Sequence, residues 1–134
     1  MTFRLAPMRA LAAAVTLTAA AAAAAVAGSD APTFRRIATI PVFQNSSIDD
    51  EAVAEIVAAT ADGATLAYTD GAREAIGFID ITDPANPVAD GEVAVDGEPT
   101  SVAITADGFV LASTNTSASF TDPSGTLLVI DEAT

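Results

Sequence analysis

Carboxylates are the side chains with which this chain could do chemistry. It has no histidine and no cysteine, so neither a Ser-His-Asp system nor a Cys-His pair can be assembled from it. A zinc site on imidazole or thiolate is excluded for the same reason, and no Walker-type phosphate loop occurs. The densest acidic cluster is Asp49, Asp50 and Glu51 with Glu55. Oxygen ligands of this kind suit calcium, which makes these four the candidate metal ligands. A solvated loop, or a helix N-terminus whose dipole favours acidic residues, is the plain alternative.

The other charged residues have simpler readings. Glu98 precedes a strand-like run and could point to the same place as the cluster, or be an ordinary loop residue. Asp62 and Asp107 each stand before a glycine and read as turn formers. Asp80 and Asp131 close matching apolar runs and read as edge or turn carboxylates. Arg73 is the single cation after Arg36; it pairs with Glu74 or a phosphate, or is a surface charge. Asn45-Ser46-Ser47 and Asn115-Thr116-Ser117 are glycosylation sequons in a host that uses them. The residue types single out no catalytic residue.

Charge narrows the partners. Eighteen acidic residues oppose five basic ones, giving a net charge of −13. A nucleic-acid partner needs a basic footprint and an anionic lipid surface needs the same, so both are disfavoured. An acidic surface keeps a protein soluble. The lack of cysteine removes disulfides and a lipidated N-terminal cysteine, so stability must come from burial and backbone pairing.

The N-terminus reads as a cleavable leader. Arg4 and Arg9 form a positive region, residues 10–24 are apolar apart from Thr16 and Thr18, and Ala25-Val26-Ala27 is a small-x-small cleavage site. The signal peptide is then 1–27 and the mature chain starts at Gly28. Removing two arginines takes the net charge to −15. A transmembrane anchor is the alternative, but alanine contributes little to membrane transfer. The product is expected outside the cytoplasm, secreted or in the periplasm or cell envelope, with no integral membrane contact after cleavage.

What positions the carboxylates is a repeat. Thr60-Ala61-Asp62-Gly63 recurs as Thr105-Ala106-Asp107-Gly108, an offset of 45; Val57 then matches Val102, Leu66 matches Leu111, Ala67 matches Ala112 and Thr69 matches Thr114. Each copy is an alternating apolar run, an Asp-Gly turn and a second run, the signature of a β-hairpin. Ile79-Asp80 matches Ile130-Asp131 at an offset of 51, with six extra residues placed in the loop 115–125. In the first copy a third strand spans 75–81 and a fourth spans 92–95. Residues 34–42 read as an N-terminal strand and 44–50 as a polar loop. Residues 50–59 allow a helix as an alternative, because acidic residues open the run.

A unit of about 45 residues with four short strands is a propeller blade. The expected fold is all-β: an N-terminal segment (28–50) with one strand, a first blade (51–95) and a second, incomplete blade (96–134). Two blades cannot close a ring that needs about four to eight. The sequence therefore reads as the N-terminal part of a larger propeller; an intact short chain would have to assemble with other copies.

Two segments carry a resemblance. Residues 78–87, FIDITDPANP, resemble the LVIVD-type repeat, an apolar strand ending in Asp followed by an Asp-Pro-x-x-Pro turn. Residues 97–108, GEPTSVAITADG, resemble the start of YVTN-type blades. With Ile37-Ala38-Thr39 and Asn115-Thr116-Ser117, the order is most similar to the N-terminal part of bacterial esterase-like phytase-family propellers. That resemblance implies a full-length hydrolase of phosphoesters or related esters, assisted by calcium, acting on a small-molecule ester; it maps no catalytic residue onto this stretch. The competing expectation is a non-enzymatic extracellular propeller that binds a protein or glycan.

Overall fold

The computed structural model describes residues 34–131. The expected leader (1–27), the start at Gly28 and residues 132–134 lie outside them. Seven strands follow one another: β1 (Ala54–Ala59), β2 (Thr65–Asp70), β3 (Ala75–Asp80), β4 (Val88–Ala94), β5 (Glu98–Ile104), β6 (Phe109–Asn115) and β7 (Gly125–Asp131). They form two antiparallel sheets, ordered β1-β2-β3-β4 and β5-β6-β7. The only helix among the described residues is a 3-10 turn, Val42–Asn45. The class is all-β, as expected.

The Asp-Gly turns fold for local reasons. Gly63 and Gly108 sit at φ 72° and 91°, where a β-carbon is strained. Asp62 accepts hydrogen bonds from Thr60 Oγ1 at 2.6 Å and from the Ala64 amide at 3.0 Å. Those bonds, Thr60's first, hold its carboxyl below the usual carboxylate range. In the second turn Thr105 Oγ1 accepts from the Phe109 amide at 3.0 Å.

The helix alternative at residues 50–59 fails because β2 offers those backbone groups a ladder. Val57, Ala58 and Ala59 pair with Tyr68, Ala67 and Leu66. A β-bulge between Ala54 and Val57 diverts two amides to side chains: Val53 N–H donates to Asp70 Oδ1 at 2.9 Å, and Ile56 N–H to Thr69 Oγ1 at 3.1 Å.

The two hairpins are the same unit, but their correspondence slips by one residue. In the first, Ala58 pairs with Ala67; in the second, Ala103 pairs with Leu111 rather than Ala112. The first turn holds one residue more, so the offset is 45 before the turn and 44 after it. Ala67 therefore corresponds to Leu111, Tyr68 to Ala112 and Asp70 to Thr114. The sequence match of Leu66 to Leu111 and Ala67 to Ala112 is corrected accordingly. A one-residue slip moves a side chain to the opposite face, so this decides what packs where. The offset of 51 at Ile79 and Ile130 holds, since Leu66 pairs with Ile79 and Val110 with Ile130. The loop insertion is seven residues, not six.

With that register, both sheets bury side chains in a consistent sense. Ala67, Ile76 and Phe78 of the first sheet pack against Val102, Val110 and Ala112 of the second. Ile76 and Val110 are fully buried. β5 packs against β1 and β2, whereas β4 and β7 flank an open cleft of about 630 Å³. At one end the two Asp-Gly turns lie side by side and line a common depression.

The N-terminal segment corrects another expectation: residues 34–41 form no strand. Pro41 lacks the N–H that a ladder requires, and the backbone closes into the turn Val42–Asn45 directly after it. Ile37 to Ile40 instead run along the far face of the first sheet, beside Leu66 and Ile79. Asn45, expected in a polar loop, ends that turn and reaches into the sheet.

There it meets a second bulge. Gly77 pairs with Glu92 and Ile79 with Ala89, so two residues of β4, Asp90 and Gly91, stand opposite Phe78. Gly91 takes φ 89°, the left-handed region such a bulge uses. Asn45 Nδ2 donates to Phe78 O at 2.8 Å, and the Gly91 amide donates to Asn45 Oδ1 at 2.8 Å. One side chain thus satisfies both backbone groups that the bulge frees. The bulge also explains why β4 begins at Val88, four residues before the sequence suggested: Gly91 interrupts the pattern without ending the strand.

Candidate functional site

Polar and charged side chains gather at the end of the sheets where β1 and β5 begin. Glu55 on β1 and Glu98 on β5 converge because those two strands pack together. A β-carbon at Gly71 would lie 3.8 Å from Glu98 Oε1 and 3.9 Å from Glu55 Oε2. The two carboxylates therefore flank one glycine, with no side chain between them and its backbone. Both residues are exposed. Of the acidic cluster, Glu55 is the member that stands beside Glu98, the first residue of β5.

Next to that glycine, Asp70 is almost fully buried, at 1% exposure. Its Oδ1 accepts from the Val53 amide and, at 3.3 Å, from the Arg73 amide. Its Oδ2 is buried without a hydrogen-bond partner. The corresponding position of the second sheet, Thr114, likewise leaves a buried Oγ1 unpartnered. Burial of such oxygens is costly, so the two sheets share one unfavourable position.

Arg73 organises the remaining charges. Its Nε and Nη2 donate to the Glu92 carboxylate, and Nη1 donates to Asp50 Oδ2 at 2.9 Å. The bonds to Glu92 raise its pKa most, with smaller contributions from Asp50 and Asp70. The sequence offered Glu74 or a phosphate as its partner; the structure supplies Glu92 and Asp50 instead. Glu74 is in a tight turn at φ 51°, one residue on, whereas Glu92 lies across the sheet.

The four proposed calcium ligands do not form one cage. Asp50 turns to Arg73, Glu55 turns to Gly71 and Glu98, and Asp49 and Glu51 are exposed. Among the described residues no three His, Cys, Asp or Glu side chains group as a metal site would require. Calcium takes roughly six to eight oxygens, so the residues present here do not fit it.

Sequence reasoning missed Asp70, Tyr68 and the role of Asn45. Tyr68 lies over Gly77, whose β-carbon would fall 2.2 Å from Tyr68 Cζ. Its hydroxyl accepts from Asn45 Nδ2 at 2.8 Å. Burial pushes the phenol pKa up; the Asn45 bond opposes this, and Asp70 and Glu92 add to it. Alternation along β2 could have placed Tyr68 and Asp70 on one face. Nothing local announced that Asn45, met as a sequon, spends its amide nitrogen on Tyr68 and Phe78.

Comparison of the chain with protein-family models, curated proteins and solved structures returns no match.

Proposed function

We propose that this chain is part of an exported β-propeller, its two sheets being consecutive blades, and that its chemistry is hydrolysis of phosphoesters or related esters outside the cytoplasm. One observation supports the architecture above all. Once the one-residue slip is applied, corresponding side chains of the two sheets face in the same rotational sense. Successive blades of a propeller stand in that relation, whereas the inner faces of a sandwich meet by opposed equivalents. Closely packed first strands and an open cleft at the outer strands agree with it.

The hydrolytic part is supported by the resemblance of residues 78–87 and 97–108 to esterase-like phytase-family propellers and by the juxtaposition of Glu55 and Glu98. Carboxylates on the first strands of neighbouring blades face the channel of a propeller, where they can hydrogen-bond a substrate hydroxyl or exchange a proton. The rival is a propeller that binds a protein or glycan without turnover.

Two measurements test the proposal. N-terminal sequencing of protein from the culture medium is expected to read from Gly28; recovery from membranes alone with Met1 retained refutes export. Phosphomonoester hydrolysis by the closed propeller is expected to fall at least about tenfold in Glu55→Gln and Glu98→Gln, as loss of a proton-transfer group would cause. Unchanged turnover in both variants removes them from the chemistry, and absence of turnover in the parent protein favours the binder.

A further inference from the structure

We infer that the Asp96-Gly97 step, in the link between the two sheets, is the modification site at which this chain closes a succinimide ring and isomerises to isoaspartate. The sequence contains five Asp-Gly steps, at Asp62, Asp70, Asp90, Asp96 and Asp107. At such a step the glycine nitrogen gives up its proton and attacks the aspartate Cγ. A nitrogen–carbon bond forms, a carboxyl oxygen leaves as water, and a cyclic imide results. Water then opens the ring at either carbonyl; opening at the main-chain one leaves the backbone running through the side chain. Glycine hinders the closure least because it has no β-carbon. All five steps share this chemistry, so the fold decides between them.

Four of the glycine amides are already engaged. Gly63 N–H donates to Thr60 O at 2.9 Å, Gly71 N–H to Val53 O at 3.2 Å and Gly108 N–H to Thr105 O at 3.1 Å. Gly91 N–H donates to Asn45 Oδ1 at 2.8 Å. Each must break its bond before the nitrogen can lose a proton and turn onto the carboxyl carbon. Asp70 and Asp90 are also fixed inside β2 and β4, and Asp62 Oδ1 accepts from Thr60 and Ala64. Asn45 and Asn115, which can close the same ring, precede amides that donate to Phe43 O and Ser124 O. Of the five, the Gly97 amide alone has no acceptor among the described residues. Asp96 is exposed and lies between the end of β4 at Ala94 and the start of β5 at Glu98, so no ladder fixes its backbone. Position 97 requires glycine: at φ 82° a β-carbon would run into the Asn115 carbonyl oxygen. Isomerisation there adds a main-chain methylene directly before Glu98. The inference rests on the backbone hydrogen bonds and is independent of the hydrolytic reading.

Prolonged incubation of the folded full chain at neutral pH tests this, followed by proteolysis and fragmentation mass spectrometry that distinguishes isoaspartyl from aspartyl peptides. Isoaspartate at position 96 is expected to exceed that at each of the other four steps by at least about fivefold, the factor that one amide hydrogen bond is worth. The preference is expected to vanish in urea, where no amide is held. Asp96→Asn reaches the same imide by losing ammonia and is expected to accumulate isoaspartate at 96 faster than the parent. Asp96→Glu, which would have to close a larger ring, is expected to abolish it. Circular dichroism must show both variants folded. Isoaspartate that accumulates in the folded chain at another Asp-Gly step as fast as at 96 overturns the inference. So does a folded parent or folded Asp96→Asn chain that forms none at 96 under conditions where the urea-unfolded chain does.

Discussion

Replacing Asn45 by alanine is the sharpest test of how the first sheet is held. The side chain makes three hydrogen bonds of 2.8 Å each, to Tyr68 Oη, to Phe78 O and from the Gly91 amide. All join positions at least 23 residues apart in sequence, the farthest 46. Each bond is worth about 0.5–1.5 kcal/mol net, and a backbone group left unpaired costs more than that mean. Asn45 is only half-buried, so water recovers part of the loss. The expected destabilisation is about 2–3 kcal/mol, or roughly 10–20 °C in melting temperature for a domain of this size. Urea unfolding followed by circular dichroism reads it directly. Asn45→Asp separates the two halves of the contact, since it keeps the acceptor for Gly91 N–H but presents an oxygen to Phe78 O. It is expected to recover some of the loss and not all of it. A change below about 0.5 kcal/mol in Asn45→Ala, the level of an ordinary surface substitution, would refute the claim that Asn45 secures the bulge.

Two further outcomes follow from Tyr68. Gly77→Ala places a β-carbon 2.2 Å from the Tyr68 ring and is expected to cost about 2 kcal/mol or more by overpacking; Tyr68→Ala in the same chain should relieve part of it, giving a coupling energy in a double-mutant cycle. Because the chain has one tyrosine, its ionisation can be followed by tyrosinate absorbance, with an expected midpoint above the ordinary phenol value of 10.0. A raised folded-state pKa means that the neutral phenol is bound more favourably in the native state. Its contribution is complete below the unfolded value and is lost as pH rises through the folded one, so stability should decline on the alkaline side. A midpoint at or below the unfolded value would contradict burial of the ring.

The sequence by itself determined most of the strands and their order. Alternating runs separated by Asp-Gly turns sufficed for β1, β2, β5 and β6, since the turn residues act through local backbone preference and one side-chain acceptor. The offset of 51 located β7 against β3 in the same way. What local pattern could not carry was position across the sheet. The slip from 45 to 44 turns on one residue in a turn; it leaves the strands legible but reverses which side chains meet, so half-buried Leu111 becomes the equivalent of fully buried Ala67 rather than of Leu66. Residues 34–41 have the composition of a strand but form none, and Pro41 lacks the N–H that would continue a ladder. The bulge at Gly91, the pairing of Arg73 with Glu92, and the dispersal of the acidic cluster all depend on contacts between residues far apart in the chain. A carboxylate's chemistry can be read from its type. Which cation, amide or second carboxylate it meets is settled only when the sheets pack, because hydrogen bonds and ion pairs act over a few ångströms of space and are indifferent to distance along the sequence.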